Sequence, residues 1–134
     1  DFHCLPGWSA YDQYCYRVFN EPKNWEDAER FCAKQADSGH LVSIETMGEA
    51  DFVAQLISEN IQSEKHYVWI GLKVQNKEQQ CSSEWSDGSS VTYENLIKLY
   101  MRKCGALEQE SGFRKWINLG CIQLNPFVCK FPPQ

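Results

Sequence analysis

Apolar residues recur with helical spacing in two stretches of the first half of the chain. The first stretch places four of them at i, i+3, i+6 and i+7, namely Trp25, Ala28, Phe31 and Cys32. That spacing forms one apolar stripe on a helix. Asn24 precedes the stripe as a suitable N-cap, with Asp27 at the capping-box position. We therefore predict a first helix that begins after Asn24 and fades near residues 37–39.

The second stretch predicts a helix over residues 47–60. Thr46 and Glu49 form a second capping box at its start. The apolar positions that follow are Phe52, Val53, Leu56, Ile57 and Ile61.

Strand patterns surround these helices. Near the N-terminus we predict a short hairpin with residues 15–19 as its second strand, and residues 40–44 form a strand-like bridge. A short apolar run at 67–72 predicts a buried strand. Later strand signals occur at residues 105–107, 115–119 and 126–131, whereas residues 95–101 suggest a helical fragment. Segregated helices and strands indicate a single α+β domain over residues 1–134.

A long polar excursion follows the 67–72 strand, and Cys81 lies within it. The chain has seven cysteines, a density typical of an oxidising compartment and a disulfide framework. Six cysteines can pair in fifteen ways, which leaves one over. The remaining cysteine is either a free thiol or a bridge to another chain. Cys81 has the most polar surroundings, and we favour the interchain bridge because exposed free thiols are reactive.

Charge and composition exclude several classes of function. The net charge is 13 − 18 = −5, without the basic cluster that nucleic-acid binding needs. No apolar run approaches the ~18 residues that cross a bilayer. The three histidines, His3, His40 and His66, lie in no recognisable catalytic motif. We therefore expect a processed, secreted, non-enzymatic chain without a cofactor.

Several of these residues together resemble the C-type lectin-like domain. The matching elements are the Cys4/Cys15 hairpin, the helix with Trp25 and Cys32, the Trp69-Ile70-Gly71-Leu72 strand, the Cys104…Trp116…Cys121 segment and the closing Phe127-Val128-Cys129. They cover essentially the whole chain. The segment from Gln79 to Ser90 is similar to the α-type subunit of snake-venom C-type lectin-like heterodimers, the snaclecs.

The resemblance implies a disulfide pattern and a partner. The internal pairs are Cys4–Cys15, Cys32–Cys129 and Cys104–Cys121, and Cys81 bridges to a homologous β subunit. The loop at about 73–100 would be swapped onto that subunit, and heterodimers would form at most a non-covalent higher oligomer through this chain. The expected targets are a platelet receptor or a plasma haemostatic protein: glycoprotein Ib, glycoprotein VI or von Willebrand factor.

The calcium sites of this family are altered here. The loop at 73–103 contains no proline, so the sugar-binding triplet expected there is absent. The second triplet reads Trp116-Ile117-Asn118, which loses expected ligands at Ile117 and Asn118. A second site, known in some venom relatives, retains Ser43, Glu45 and Glu49. Its fourth position is Lys130, whose ammonium is expected to replace the metal.

Two alternatives to a platelet-directed role follow from the resemblance. One is an anticoagulant that binds the Gla domains of coagulation factors IX/X, and the other is a calcium-dependent galactose lectin. As candidate target-contact residues we selected aromatic and basic residues, because such residues are frequent in the hot spots of protein–protein interfaces. They are Tyr93, Tyr100, Arg102, Lys103, Phe113, Arg114 and Lys115.

Overall fold

The structure is a computed structural model that describes residues 4–61, 67–77, 80–85, 96–98 and 103–132. Side chains are described for 4–61, 67–72 and 104–132. The helices are α1 (Trp25–Gln35) and α2 (Met47–Asn60), with a 3₁₀ turn at Gln109–Ser111. The strands are β1 (Ser9–Tyr11), β2 (Tyr14–Lys23), β3 (His40–Leu41), β4 (Tyr67–Lys77), β5 (Gln80–Trp85), β6 (Leu96–Lys98), β7 (Lys103–Glu108), β8 (Trp116–Gly120) and β9 (Asn125–Phe131).

The strands form one sheet in the order β1-β2-β9-β4-β7-β8-β6, with β3 added to β9 and β5 added to β4. Most neighbours are antiparallel, and the parallel contacts are β4 with β9 and β6 with β8. Two helices packed on a largely antiparallel sheet confirm the predicted α+β class. Within the described residues, no helix is long and apolar enough to span a bilayer.

Both helices begin where the caps predict. The Asn24 side chain accepts a hydrogen bond from the Asp27 backbone N–H at 2.8 Å. The Thr46 hydroxyl accepts one from the Glu49 backbone N–H at 3.0 Å. Each cap satisfies a donor that the first helical turn leaves without an intrahelical partner.

Strand β4 lies at the centre of the core. Trp69 is fully buried, and its indole N–H donates to the Lys23 carbonyl at 2.8 Å. The indole N–H of Trp25, on α1, donates to the Ile70 carbonyl at 2.8 Å. Buried indoles need such partners, so these two bonds fix α1 and β2 against β4.

Three disulfides connect the elements: Cys4–Cys15, Cys32–Cys129 and Cys104–Cys121, with Cα–Cα distances of 5.6, 5.3 and 5.2 Å. The second joins α1 to β9 across a separation of 97 residues. Closing a loop of that length in the unfolded chain is worth on the order of 4–5 kcal/mol in the chain-entropy model.

The buried strand predicted at 67–72 is confirmed, but it does not end at Leu72, since β4 continues to Lys77 and pairs with β5. The helical fragment predicted at 95–101 is wrong. Residues 96–98 form strand β6 beside β8 and not part of a helix. In both places backbone pairing with a neighbouring strand overrides the local pattern.

Candidate functional site

Strands β4 and β5 form an arm that extends the central strand. Their pairing runs from Leu72 opposite Trp85 to Lys77 opposite Gln80. Cys81 lies opposite Asn76, one register position from the last pair. From Leu72 to Asn76 a strand advances about 13 Å. The backbone therefore places Cys81 near the outer end of the arm, and its bridge to a second chain stays a prediction.

The internal disulfides leave Cys81 without a partner in its own chain. They use six of the seven cysteines in the sequence. A disulfide at Cys81 therefore requires another molecule.

The predicted target-contact residues that the structure describes lie at two separate places. Strands β7 and β8 form a hairpin, and Lys103 pairs with Gly120 at one end of it. Phe113, Arg114 and Lys115 belong to the connection at the other end. A six-residue strand separates the two ends by roughly 17–20 Å. Tyr93, Tyr100 and Arg102 lie outside the described residues.

Phe113 is a core residue in this structure. Its side chain is 5% exposed and belongs to the cluster that includes Leu107 and Trp116. Its backbone has a positive φ of 62°, which is strained for a bulky residue. The buried ring offers a target almost no surface, so we remove Phe113 from the predicted contact set.

Ser111 organises the backbone on either side of Phe113. Its hydroxyl donates to the Glu108 carbonyl at 2.9 Å and accepts from the backbone N–H groups of Arg114 and Lys115 at 3.2 and 2.9 Å. These three bonds use the donor and both acceptor positions of the hydroxyl. The Arg114 guanidinium also pairs with Asp51 on α2. The connection thus holds Arg114 and Lys115 in exposed positions.

Lys130 stands at the fourth position of the altered second calcium site, where the sequence predicts that its ammonium replaces the metal. Its ammonium lies 2.6 Å from Glu49 Oε2, 3.1 Å from the Ser43 hydroxyl oxygen and 3.2 Å from the Ser43 carbonyl oxygen. The Lys130 and Glu49 side chains are only 10% and 7% exposed. The ring centroid of Tyr14 lies 4.4 Å from the ammonium. A cation over an aromatic face is attracted by the ring quadrupole.

The Glu49 carboxylate accepts two further hydrogen bonds. The Tyr16 hydroxyl donates to Oε2 at 2.6 Å, and the Glu45 backbone N–H donates to Oε1 at 2.9 Å. Burial, and after it the hydrogen bond to Glu49, raises the pKa of Tyr16 well above its ordinary value. Tyr16 therefore stays a neutral donor to the carboxylate at physiological pH.

This arrangement does not fit a calcium ion. Calcium takes six to eight oxygen ligands, with carboxylates that balance its charge. Here an ammonium lies directly against Glu49, and the oxygens of Glu49 already accept from Lys130, Tyr16 and Glu45. The surrounding cavity of about 300 Å³ also includes Asp12 and Thr46. In the part of the chain that is described, no group of three or more His, Cys, Asp or Glu residues could hold a metal.

Sequence reasoning missed Tyr16 as a member of this cluster. Tyr16 lies directly opposite Lys130 in the pairing of β2 with β9. Knowledge of that register would have revealed it, because directly opposite residues of an antiparallel pair share a face of the sheet.

The sugar-site positions lie on β8. Trp116 is fully buried, and Ile117 and Asn118 are half-buried beside β7. An isoleucine supplies no oxygen to a metal, so this strand lacks one ligand of the family's sugar site.

His40 has a structural environment. Its Nδ1 lies 2.6 Å from Glu29 Oε2, while Glu29 Oε1 accepts from the Leu41 backbone N–H at 2.9 Å. Glu29 thereby links α1 to β3. Within the described residues, the hydrogen-bond partner of this imidazole is the Glu29 carboxylate and not a serine or cysteine nucleophile.

Comparison with known proteins places the chain in a family. A model described as the lectin C-type domain matches residues 21–131. Snaclec agglucetin subunit alpha-2 from Deinagkistrodon acutus is 78% identical over 134 residues, which is 100% of this chain and 85% of that relative. The crystal structure of the snake venom toxin convulxin has a TM-score of 0.79 at 61% identity, covering 98% of this chain and 99% of that one.

A further solved relative is rhodocetin in complex with the integrin alpha2-A domain with strontium. It has a TM-score of 0.75 at 57% identity and covers 97% of this chain and 99% of its own. Similarity of this extent spans both helices and the central sheet. The chain therefore belongs to the C-type lectin domain family and, within it, to the snaclecs.

Proposed function

We propose that this chain is the α-type subunit of a secreted, disulfide-linked snaclec heterodimer that binds a haemostatic protein and interferes with platelet function. One observation carries the proposal. Three internal disulfides use every other cysteine, and the remaining one, Cys81, lies near the outer end of the β4–β5 arm. The partner is a homologous β subunit, onto which the loop at about 73–100 is swapped, with the last strand of the loop, β6, returning to β8 of this chain.

The activity we propose is binding without catalysis. Lys130 and Ile117 stand at two positions where the family's calcium sites have oxygen ligands, which argues against a calcium-dependent lectin. The predicted targets remain glycoprotein Ib, glycoprotein VI and von Willebrand factor. Because rhodocetin was solved with the integrin alpha2-A domain, that domain joins the targets to be tested. Arg102, Lys103, Arg114 and Lys115 are the basic contact residues of the proposal, with Tyr93 and Tyr100.

The covalent dimer is tested first. Co-expression with a snaclec β subunit should give one band of heterodimer size on non-reducing electrophoresis. Cys81→Ser should convert it to monomer-sized chains and leave the three internal disulfides intact by mass spectrometry. Ser82→Ala is the matched control and should keep the heterodimer. If the wild-type chains run only as monomers, the proposal of a covalent partner fails.

The intact heterodimer is then assayed against the four purified proteins and the factor IX and X Gla domains, with and without chelator. We expect binding to one of the four platelet-directed proteins that persists in chelator, and a change in platelet aggregation. Binding only to the Gla domains would replace the platelet role by the anticoagulant one. Chelator-sensitive haemagglutination inhibited by galactose would support the lectin instead.

A further inference from the structure

The turn between β8 and β9, residues 121–124, carries the most exposed aliphatic side chains of the described residues. Ile122 is 88% exposed and Leu124 is 64% exposed. The turn lies within a fourteen-residue segment, 116–129, that contains no Asp, Glu, Lys, Arg or His. Single exposed aliphatic residues are common, whereas exposed apolar residues that cluster can mark an interaction site. We call residues 121–124 the apolar turn.

Backbone hydrogen bonds and a disulfide anchor the apolar turn to the fold. The Gln123 backbone N–H donates to the Gly120 carbonyl at 3.0 Å. The Cys121 carbonyl accepts from the Trp25 backbone N–H at 3.0 Å, and Cys121 is bridged to Cys104. A preorganised turn loses little conformational entropy when a partner covers it.

The position of the turn indicates which partner covers it. Gly120, which precedes the turn, pairs with Lys103, the first residue of β7. The chain enters β7 after it has passed through the arm and β6. The Cα atom of Cys121 lies 5.2 Å from that of Cys104. On the neighbouring strand, Cys104 is opposite Lys73, where β4 continues into the arm. The start of the apolar turn, at Cys121, therefore lies at the end of the sheet from which the arm departs. Leu124 leads into β9, whose Phe127 is level with Trp69, four positions before Lys73 on β4.

We propose that the apolar turn is a docking surface for the homologous partner subunit. This inference rests on the proposed heterodimer. A partner reached through the arm must approach the same end of the sheet, so the turn is continuous with that interface. Subunit interfaces are apolar and poor in charge at their centre, as segment 116–129 is. An anionic lipid surface fits less well, because the segment lacks the Lys or Arg that would attract headgroups.

The test measures non-covalent association, so that Cys81 cannot mask a weakened interface. Both subunits carry serine at the bridging cysteine, and the dissociation constant is measured by analytical ultracentrifugation. Ile122→Ser/Leu124→Ser should raise this constant at least about tenfold per side chain, because each buried aliphatic group contributes that much or more. The matched control is Met47→Ser, which removes a side chain of similar exposure, 63%, from the start of α2. It should leave the constant unchanged.

A second measurement does not depend on the variants. Amide hydrogen exchange of residues 120–125 should slow on association of the wild-type chains. Both substituted side chains are exposed, so the isolated variant should melt like the wild type.

Three outcomes would overturn the proposal: unchanged association of the double variant, unchanged amide exchange, or an intact variant dimer that loses only target binding. Wild-type binding to phosphatidylserine vesicles that the double variant loses would assign the turn to a membrane. Failure of the wild-type heterodimer to bind any haemostatic protein would refute the proposed function without affecting these results.

Discussion

Replacing Lys130 by methionine is the sharpest test of the altered cation site. Methionine keeps most of the aliphatic length of lysine and removes the ammonium. The change leaves the Glu49 carboxylate buried, with a side chain 7% exposed, and without its counter-charge. It also removes the hydrogen bonds from Lys130 to Ser43. The Lys130 side chain no longer links β9 to the segment before α2 and to the first turn of α2.

The magnitude follows from burial. Removing one partner of a buried ion pair costs about 3–5 kcal/mol, because the other charge stays uncompensated. Glu49 keeps its hydrogen bonds from Tyr16 and the Glu45 backbone, so we expect a loss in the free energy of unfolding of about 3 kcal/mol, at the lower end of that range. With a urea m-value of about 1.5 kcal/mol/M, the unfolding midpoint should fall by about 2 M.

A double-mutant cycle separates the pair from the general effect of substitution. Lys130→Met, Glu49→Gln and the combined variant are unfolded in urea with the disulfides intact. We expect a coupling energy of at least about 1.5 kcal/mol between the two sites. The control cycle uses Arg30 and Asp27, whose side chains are 70% and 53% exposed. Exposed pairs of this kind contribute about 0.5 kcal/mol or less.

A coupling energy for Lys130 and Glu49 no larger than that of the exposed control pair would refute the view that the ammonium neutralises a buried carboxylate. A changed m-value would instead indicate an altered denatured or native state, and the midpoints could then not be compared directly.

Three further predictions concern the same regions. By calorimetry the wild-type chain should show no micromolar Ca²⁺ binding. Lys130→Glu should gain measurable binding, because it adds a carboxylate beside Glu49. Micromolar binding by the wild type would contradict the assignment of Lys130 to the metal position. The raised pKa of Tyr16 means that its contribution to stability is complete below the unfolded pKa of about 10 and is lost as pH rises above it. Tyr16→Phe should therefore flatten the decline in urea midpoint between about pH 9 and 10.5, and an equal effect of Tyr14→Phe would show that the decline has another source. Ser111→Ala should lower the free energy of unfolding by about 1–3 kcal/mol, because two backbone amides lose their acceptor. The loss should be larger than that of Ser58→Ala, which removes one hydrogen bond to a helix carbonyl. Equal losses would contradict the organising role of Ser111.

The starts of the helices could be predicted because their signals are local. Asn24 and Thr46 each accept from the backbone N–H three residues later, so a short window of sequence contains the whole interaction. The extent of β4 could not be predicted in this way. Residues 73–77 are polar apart from Val74, and they are in a strand because β5 supplies the hydrogen-bonding partner. That partner is visible only when the pairing of the two strands is known.

The residues of the candidate site lie far apart in the sequence, so local patterns could not predict their contacts. Lys130 is 87 residues from Ser43 and 81 from Glu49, and only the family resemblance brought these positions together in advance. Tyr16 was missed because its role depends on the register of β2 with β9. Phe113 was misjudged because aromatic residues serve both cores and interfaces. Its burial is set by packing against residues on other strands.

The Lys130 ammonium differs from a metal ion in one respect that matters for function. A bound ion dissociates and can be removed by a chelator, whereas Lys130 is part of β9 and stays at Glu49 whatever the calcium concentration. The contacts among Ser43, Glu49 and Tyr16 should therefore persist in chelator, and with them the packing of α2 on the sheet. It follows that chelator-sensitive target binding by the heterodimer would report on the partner subunit or the target, and not on this site.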